Sequence, residues 1–234
     1  MGSVRGGVRR LPRGLGGGGH QHHPGTPIDG LRRVGLATRV PNHVDLPGDA
    51  LVLLVGAAGS GKTTLAARLF PADTILSSDA IRAELTGDQT DQTMNTIVFR
   101  ILHERAGRRL AAGLLTVVDA TNVAASARRP LHRLAAVHAR PVVAVVLDLP
   151  PALCVARNAA RSGRVVPEAA VHRQLGALRR ALERDELAAE GLTRMIVLAT
   201  PAGIEGLSVG LTKPGGAATL TPSALPRRSR RRHP

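Results

Sequence analysis

Gly56-Ala57-Ala58-Gly59-Ser60-Gly61-Lys62-Thr63 is the stretch of this 234-residue chain best equipped for chemistry. Its glycines let the backbone curl until successive N–H groups face one anion, and a helix starting just beyond would turn its positive end on the same anion. Four residues separate Gly56 from Gly61, and Lys62-Thr63 follow directly. In that P-loop spacing the lysine reaches the β- and γ-phosphates of a bound nucleotide and the hydroxyl coordinates Mg2+. The expected phosphate cradle runs from Gly56 through Ala57, Ala58, Gly59, Ser60, Gly61, Lys62 and Thr63 to Thr64. Lys213 is the one other lysine, and arginine fills every other basic position before it, so a compact ammonium is wanted at 62. Neither lysine has the neighbours of the guanine-reading Asn-Lys-x-Asp motif, and the core is short for a transporter or ring ATPase. The expectation is a compact phosphotransferase.

Downstream, an apolar run ends in Ser77-Ser78-Asp79-Ala80-Ile81-Arg82. Asp79 at the carboxyl end of a strand beside the loop would accept the proton of an attacking hydroxyl. Arg82, one helical turn on, would grip an anionic part of the acceptor with its fork of donors. The plainer alternative makes Ser78 or Asp79 a helix N-cap followed by an incidental arginine. Asp119, after Leu114 to Val118, would help hold Mg2+ with Thr63 while Asn122 orients the acceptor; alternatively, both residues satisfy the turn at the strand end. Arg157, Arg161 and Arg164 fall on a helix and the turn before Pro167, where they would close over the phosphates as a lid. With arginine so common here, composition alone favours a solvated helix face for these three. Cys154 has no histidine nearby in sequence and reads as a packing residue.

These residues need strands to hold them. Short apolar runs at Ala50 to Val55, Thr74 to Leu76, Leu114 to Val118, Val142 to Leu147 and Met195 to Leu198 alternate with Ala/Leu/Arg segments of helical character. That alternation predicts an α/β fold: a mostly parallel five-stranded sheet covered by helices on both faces, with a helical lid. Pro151 and Pro167 predict helices over about 151–161 and 167–189, with Gly191 as a stop signal. Residues 1–47 and 205–234 lack a hydrophobic period and are expected to be disordered tails around a 48–204 kinase domain.

Charge and composition narrow the class. Lys plus Arg number 32 against 17 Asp plus Glu, a net +15, and each tail carries +5 of it. Such tails would attract polyanions, with plain disorder as the alternative. With no Trp or Tyr and two Phe, the chain does not suit single-strand binding by aromatic stacking. A single cysteine excludes an intrachain disulfide framework. No apolar run approaches a membrane span, and the Arg/Gly-rich start lacks a signal-peptide core, so a cytoplasmic protein is expected. His20, His22 and His23 form a cluster of possible metal ligands.

The P-loop, Ser77 to Arg82, Asp119-Ala120-Thr121-Asn122, and Arg157-Asn158-x-x-Arg161-x-x-Arg164-x-Val166-Pro167 together resemble the kinase module of bacterial polynucleotide kinase-phosphatase, within the phage-type polynucleotide kinases. The resemblance spans about 48–200. It implies a P-loop kinase fold, ATP with Mg2+ as donor, Asp79 as general base toward a 5′-hydroxyl, Arg82 as a ligand of the substrate phosphate, and Arg157 and Arg164 as lid ligands of the ATP phosphates, with Arg161 beside them. It also implies a nucleic-acid end as acceptor. The phosphatase and ligase modules of the bacterial enzyme have no counterpart here. A small-molecule or sugar-nucleotide kinase and a non-catalytic ATP-binding module are the alternatives.

Overall fold

The computed structural model describes residues 42–88, 93–162 and 165–213, all within one compact unit. In chain order the elements are β1 (His43–Pro47), β2 (Leu51–Gly56), α1 (Lys62–Leu69), β3 (Ile75–Ser77), α2 (Ser78–Thr86), α3 (Asn95–Ala111), β4 (Thr116–Asp119), α4 (Ala125–Val137), β5 (Val142–Leu147), α5 (Pro151–Ala159), α6 (Glu168–Glu183), β6 (Arg194–Leu198), α7 (Pro201–Gly206) and β7 (Ser208–Thr212). Among the described residues, no helix is long and apolar enough to cross a membrane.

Five strands form one sheet in the order β3-β4-β2-β5-β6, and every pairing is parallel. All residues of β2, β4 and β5 are buried, as strands covered on both faces must be. Side chains alternate between the two faces. Leu51, Leu53 and Val55 join Val98, Leu102, Leu131 and Leu178 of α3, α4 and α6 in one apolar cluster. Val52 and Leu54 face Leu65, Ala66, Phe70 and Leu207 on the other side. After β2 the chain builds β3 and β4 to one side and then returns across β2 to β5 and β6. The carboxyl ends of the strands at that reversal are where open α/β sheets collect ligands.

Strand β1 pairs in parallel with β7, from His43↔Ser208 to Pro47↔Thr212, in a separate two-stranded sheet. Order therefore extends past both ends of the 48–204 segment expected from sequence. Val44 and Leu46 are buried against the β2 face, which fixes the pair to the core. The remainder of both basic tails, with His20, His22 and His23, lies outside the described residues.

Helix α6 stops at Glu183, short of the expected 189. Glu186 N–H bonds to Ala181 O at 2.9 Å and Asp185 N–H to Leu182 O at 3.2 Å, with Asp185 in the left-handed region at φ 54°. That is a Schellman closure built on an aspartate instead of glycine. Gly191, at φ 78°, ends a following short turn.

Candidate active site

β2 delivers the glycine-rich loop from the centre of the sheet to the start of α1. Gly59 and Gly61 have φ of 76° and 95°, which side-chain-bearing residues rarely adopt. A Cβ on Gly59 would stand 2.0 Å from the Cys154 carbonyl oxygen of α5, so the loop lies tight against that helix. Gly61 caps α1 with no side-chain hydrogen bond, and no acid stands in the first turn. The N–H groups opening α1 thus retain their affinity for an anion.

Lys62 folds back under the loop, donating from Nζ to Gly56 O at 2.8 Å and Ala57 O at 2.9 Å. Burial pulls its pKa down to about 8; Asp119 and Asp79 oppose the fall while Arg161 adds to it. Thr63 donates its hydroxyl to Asp119 Oδ2 at 2.8 Å. Asp119 ends β4 opposite Leu54 of β2 and Ser77 of β3, which places its carboxylate beside the loop. Burial pushes that carboxyl's pKa up, against the Thr63 hydrogen bond and the Lys62 charge.

Ser77 caps α2, its side chain accepting from Ala80 N–H at 3.4 Å. The cap is neither Ser78 nor Asp79; those two lie in the first turn and line the cavity in front of the P-loop. Arg82 is buried and donates Nη1 to Asp79 Oδ1 at 2.6 Å and Nη2 to Asn95 Oδ1 at 2.8 Å. Its guanidinium thereby holds the Asp79 carboxylate, and Arg82 lines the same cavity. Asn95 and Phe99 of α3 complete that wall.

Asn122 has φ 48° and is buried, its amide donating to Leu54 O at 2.9 Å. It ties the end of β4 to β2, which favours the strand-end role over acceptor contact. Behind it, buried Arg128 donates to Asn122 O and Val123 O at 2.7 and 2.6 Å and forks onto Glu190, fixing the loop that follows Asp119.

The arginines expected as a lid divide. Arg161 lines the cavity with the P-loop, Asp79 and Asp119. Arg157 is exposed on α5, with Nη1 3.8 Å from where a Cβ on Gly61 would sit. Arg164 lies outside the described residues. Thr64 is exposed on α1 and does not line the cavity. Two further residues were not marked by type or spacing. Buried Asn158 staples α5 to the segment before α6, donating to Val166 O at 2.7 Å and accepting from Val166 N–H at 3.1 Å. Gln174 of α6 accepts from Ala58 N–H at 2.9 Å. Both partnerships exist only in three dimensions.

Oxygen donors at Thr63 and Asp119 suit a hard cation such as Mg2+. Among the described residues no three His, Cys, Asp or Glu side chains converge into a metal-binding group. A second constellation, His43 Nδ1 at 2.9 Å from Ser208 Oγ and His43 Nε2 at 3.3 Å from Asp45 Oδ1, has the members of a hydrolytic triad. However, Ser208 already donates its proton to Asn42 O at 2.7 Å, so His43 is not the base that would activate it.

Residues 51–184, more than half the chain, match the AAA domain family. The chain belongs to that family. Solved structures share the fold of this AAA domain. The Pnkp1/Rnl/Hen1 RNA repair complex contains a chain 22% identical, aligned over 60% of this chain and 47% of its own, at a TM-score of 0.51. The AvrRxo1-ORF1:ORF2 complex with ATP is 16% identical over 66% of this chain and 55% of the matched one, at 0.54. A sugar kinase from Janibacter sp. HTCC2649 is 26% identical over 67% of this chain and 90% of its own, at 0.45. The chain spans about half the length of the first two. No curated protein matches it. The domain is thus a five-stranded parallel α/β fold carrying a P-loop, and it shares that fold with the first two of these structures.

Proposed function

We propose that the protein transfers the γ-phosphate of ATP to a hydroxyl acceptor, and that the acceptor is the 5′-hydroxyl end of a polynucleotide. The observation that carries this reading is a single cavity walled by Lys62 and Thr63 of the P-loop on one side and by Asp79 on the other. Phosphoryl transfer is achieved mainly by positioning and charge stabilisation, and these groups supply both.

In this reading the loop amides and Lys62 hold the phosphates, and Lys62 exchanges its two carbonyl partners for phosphate oxygens. Thr63 and Asp119 would hold Mg2+, which when bound neutralises charge between the phosphates. Asp79, fixed by Arg82, takes the proton of the attacking hydroxyl. Arg161 adds positive charge beside the transferred group, and Arg157 and Arg164 are read as further ligands of the ATP phosphates.

The polynucleotide acceptor draws on the motif series and on the net charge of +15. A structure of the same fold comes from an RNA repair complex and another is solved with ATP, which suits this pairing of acceptor and donor. The test is an acceptor screen: ATP carrying a labelled γ-phosphate, offered side by side with 5′-hydroxyl RNA, 5′-hydroxyl DNA and free sugars. Label at oligonucleotide 5′ ends supports the proposal, and label confined to sugars replaces its acceptor.

A further inference from the structure

Each half of the P-loop is held by different elements. Gly61 to Thr63 open α1. Ala57 and Ala58, in contrast, pack with Leu149, Cys154, Val171 and Leu175 in an apolar cluster shared with α5 and α6. Next to Leu175 of that cluster, a polar side chain addresses the loop's backbone: Gln174 Oε1 accepts the Ala58 N–H at 2.9 Å. Ala58 is only 7% exposed, so losing this partner would leave a nearly buried N–H that water cannot easily satisfy. Gln174 also stands two helical turns into α6, just beyond the segment that Asn158 staples through Val166. The residue therefore ties α6 to the phosphate loop.

Residue type is informative. A glutamate would accept the same hydrogen bond with the same reach, but would set a negative charge against the loop that must receive a triphosphate. A neutral acceptor holds the Ala58 amide without that repulsion.

We propose that Gln174 is a positioning residue for nucleotide binding: it sets the first half of the P-loop in its phosphate-receiving shape, and it must be neutral to do so. This rests on the nucleotide reading above. The experiment uses the full chain and its Gln174→Ala and Gln174→Glu variants, with ATP affinity measured by calorimetry, steady-state kinetics measured against ATP, and thermal melting as the control for folding. Gln174→Ala weakens ATP binding about five- to tenfold, the worth of one hydrogen bond. Gln174→Glu melts with the parent yet binds ATP more weakly than Gln174→Ala, and its deficit shrinks as salt is raised. In both variants KM for ATP rises while kcat stays within about twofold, because the triphosphate is bound less well but reacts from the same geometry. Parental ATP affinity in either variant overturns the proposal, as does a loss that follows the melting temperature alone. If the parent itself binds no ATP, the nucleotide reading fails instead.

Discussion

Arg82 Nη1 lies 2.6 Å from Asp79 Oδ1 across a single turn of α2, and the arginine side chain is only 2% exposed while that of the aspartate is 37% exposed. The pair is asymmetric: the buried guanidinium, anchored also to Asn95, is the fixed member, and the carboxylate reaching into the cavity is the member it aims. Arg82→Lys supplies a single nitrogen where two nitrogens of a planar fork are used. The expected result is a fall in kcat of about 100-fold with ATP affinity retained. Stability should drop by about 1–3 kcal/mol, less than for a fully buried pair because the carboxylate is partly hydrated. Kinetics combined with chemical denaturation checks both, and parental kcat in a folded Arg82→Lys variant would contradict the positioning role.

Asp119 carries a charge that burial opposes. Its carboxyl is raised above the unfolded value, so keeping it ionised at neutral pH costs folding free energy. Asp119→Asn keeps an acceptor for the Thr63 hydroxyl and removes the charge. Stability of the nucleotide-free protein should rise by about 1 kcal/mol at pH 7, as is common when an active-site charge is deleted, while Mg2+-dependent transfer is lost. Melting curves and transfer assays on the same preparation test this; a less stable or fully active variant would count against it.

Lys62 titrates at about 8 in the ligand-free protein, against 10.5 when unperturbed. Between those values the unfolded chain binds more protons than the folded one, so this residue's contribution to stability rises with pH across about 8 to 10.5. A triphosphate favours the charged ammonium. ATP binding should therefore take up as much as about three-quarters of a proton at pH 8.5 and weaken as pH climbs further. Calorimetry in buffers of different ionisation heat measures the uptake, and Lys62→Met should abolish it. Equal heats in all buffers would refute the assignment.

Gly59 combines a φ of 76° with a Cβ position 2.0 Å from the Cys154 carbonyl oxygen. Both penalties act on the folded state, and the obstacle is helix backbone that cannot swing aside. Gly59→Ala should cost about 3 kcal/mol or more, whereas Gly87→Ala meets no atom within 4 Å and bears only the backbone penalty at φ 71°. A melting comparison of the two variants separates crowding from strain, and equal melting temperatures would show that the loop does not press on α5.

The five-stranded sheet was legible because β2 and β5 are continuous apolar runs and apolar residues lead into β4, a pattern set locally by burial on both faces. β1 and β7 were not. His43 to Pro47 alternates for only five residues, and its partner lies 165 positions away, so its order depends on a pairing that no local window contains. The P-loop, Asp79 and Asp119 were legible because phosphate chemistry restricts residue type and spacing. Gln174, Asn95 and Asn158 were not, since a polar side chain whose task is to hold another group can sit anywhere the fold brings it near. The end of α6 was misplaced for a third reason: Asp185 takes the left-handed cap conformation usually given to glycine.

The central claim is that Asp79 faces the γ-phosphate held by the P-loop and takes a proton from the acceptor. Its most direct test compares the parent with Asp79→Ala in transfer of labelled γ-phosphate from ATP to a 5′-hydroxyl oligonucleotide, with ATP affinity measured on both. The account predicts equal ATP binding, label at the 5′ end with the parent, and a rate lower by about 10²- to 10⁴-fold in the variant. Transfer by Asp79→Ala at the parental rate, or a parent that binds ATP and labels no hydroxyl acceptor, would contradict it.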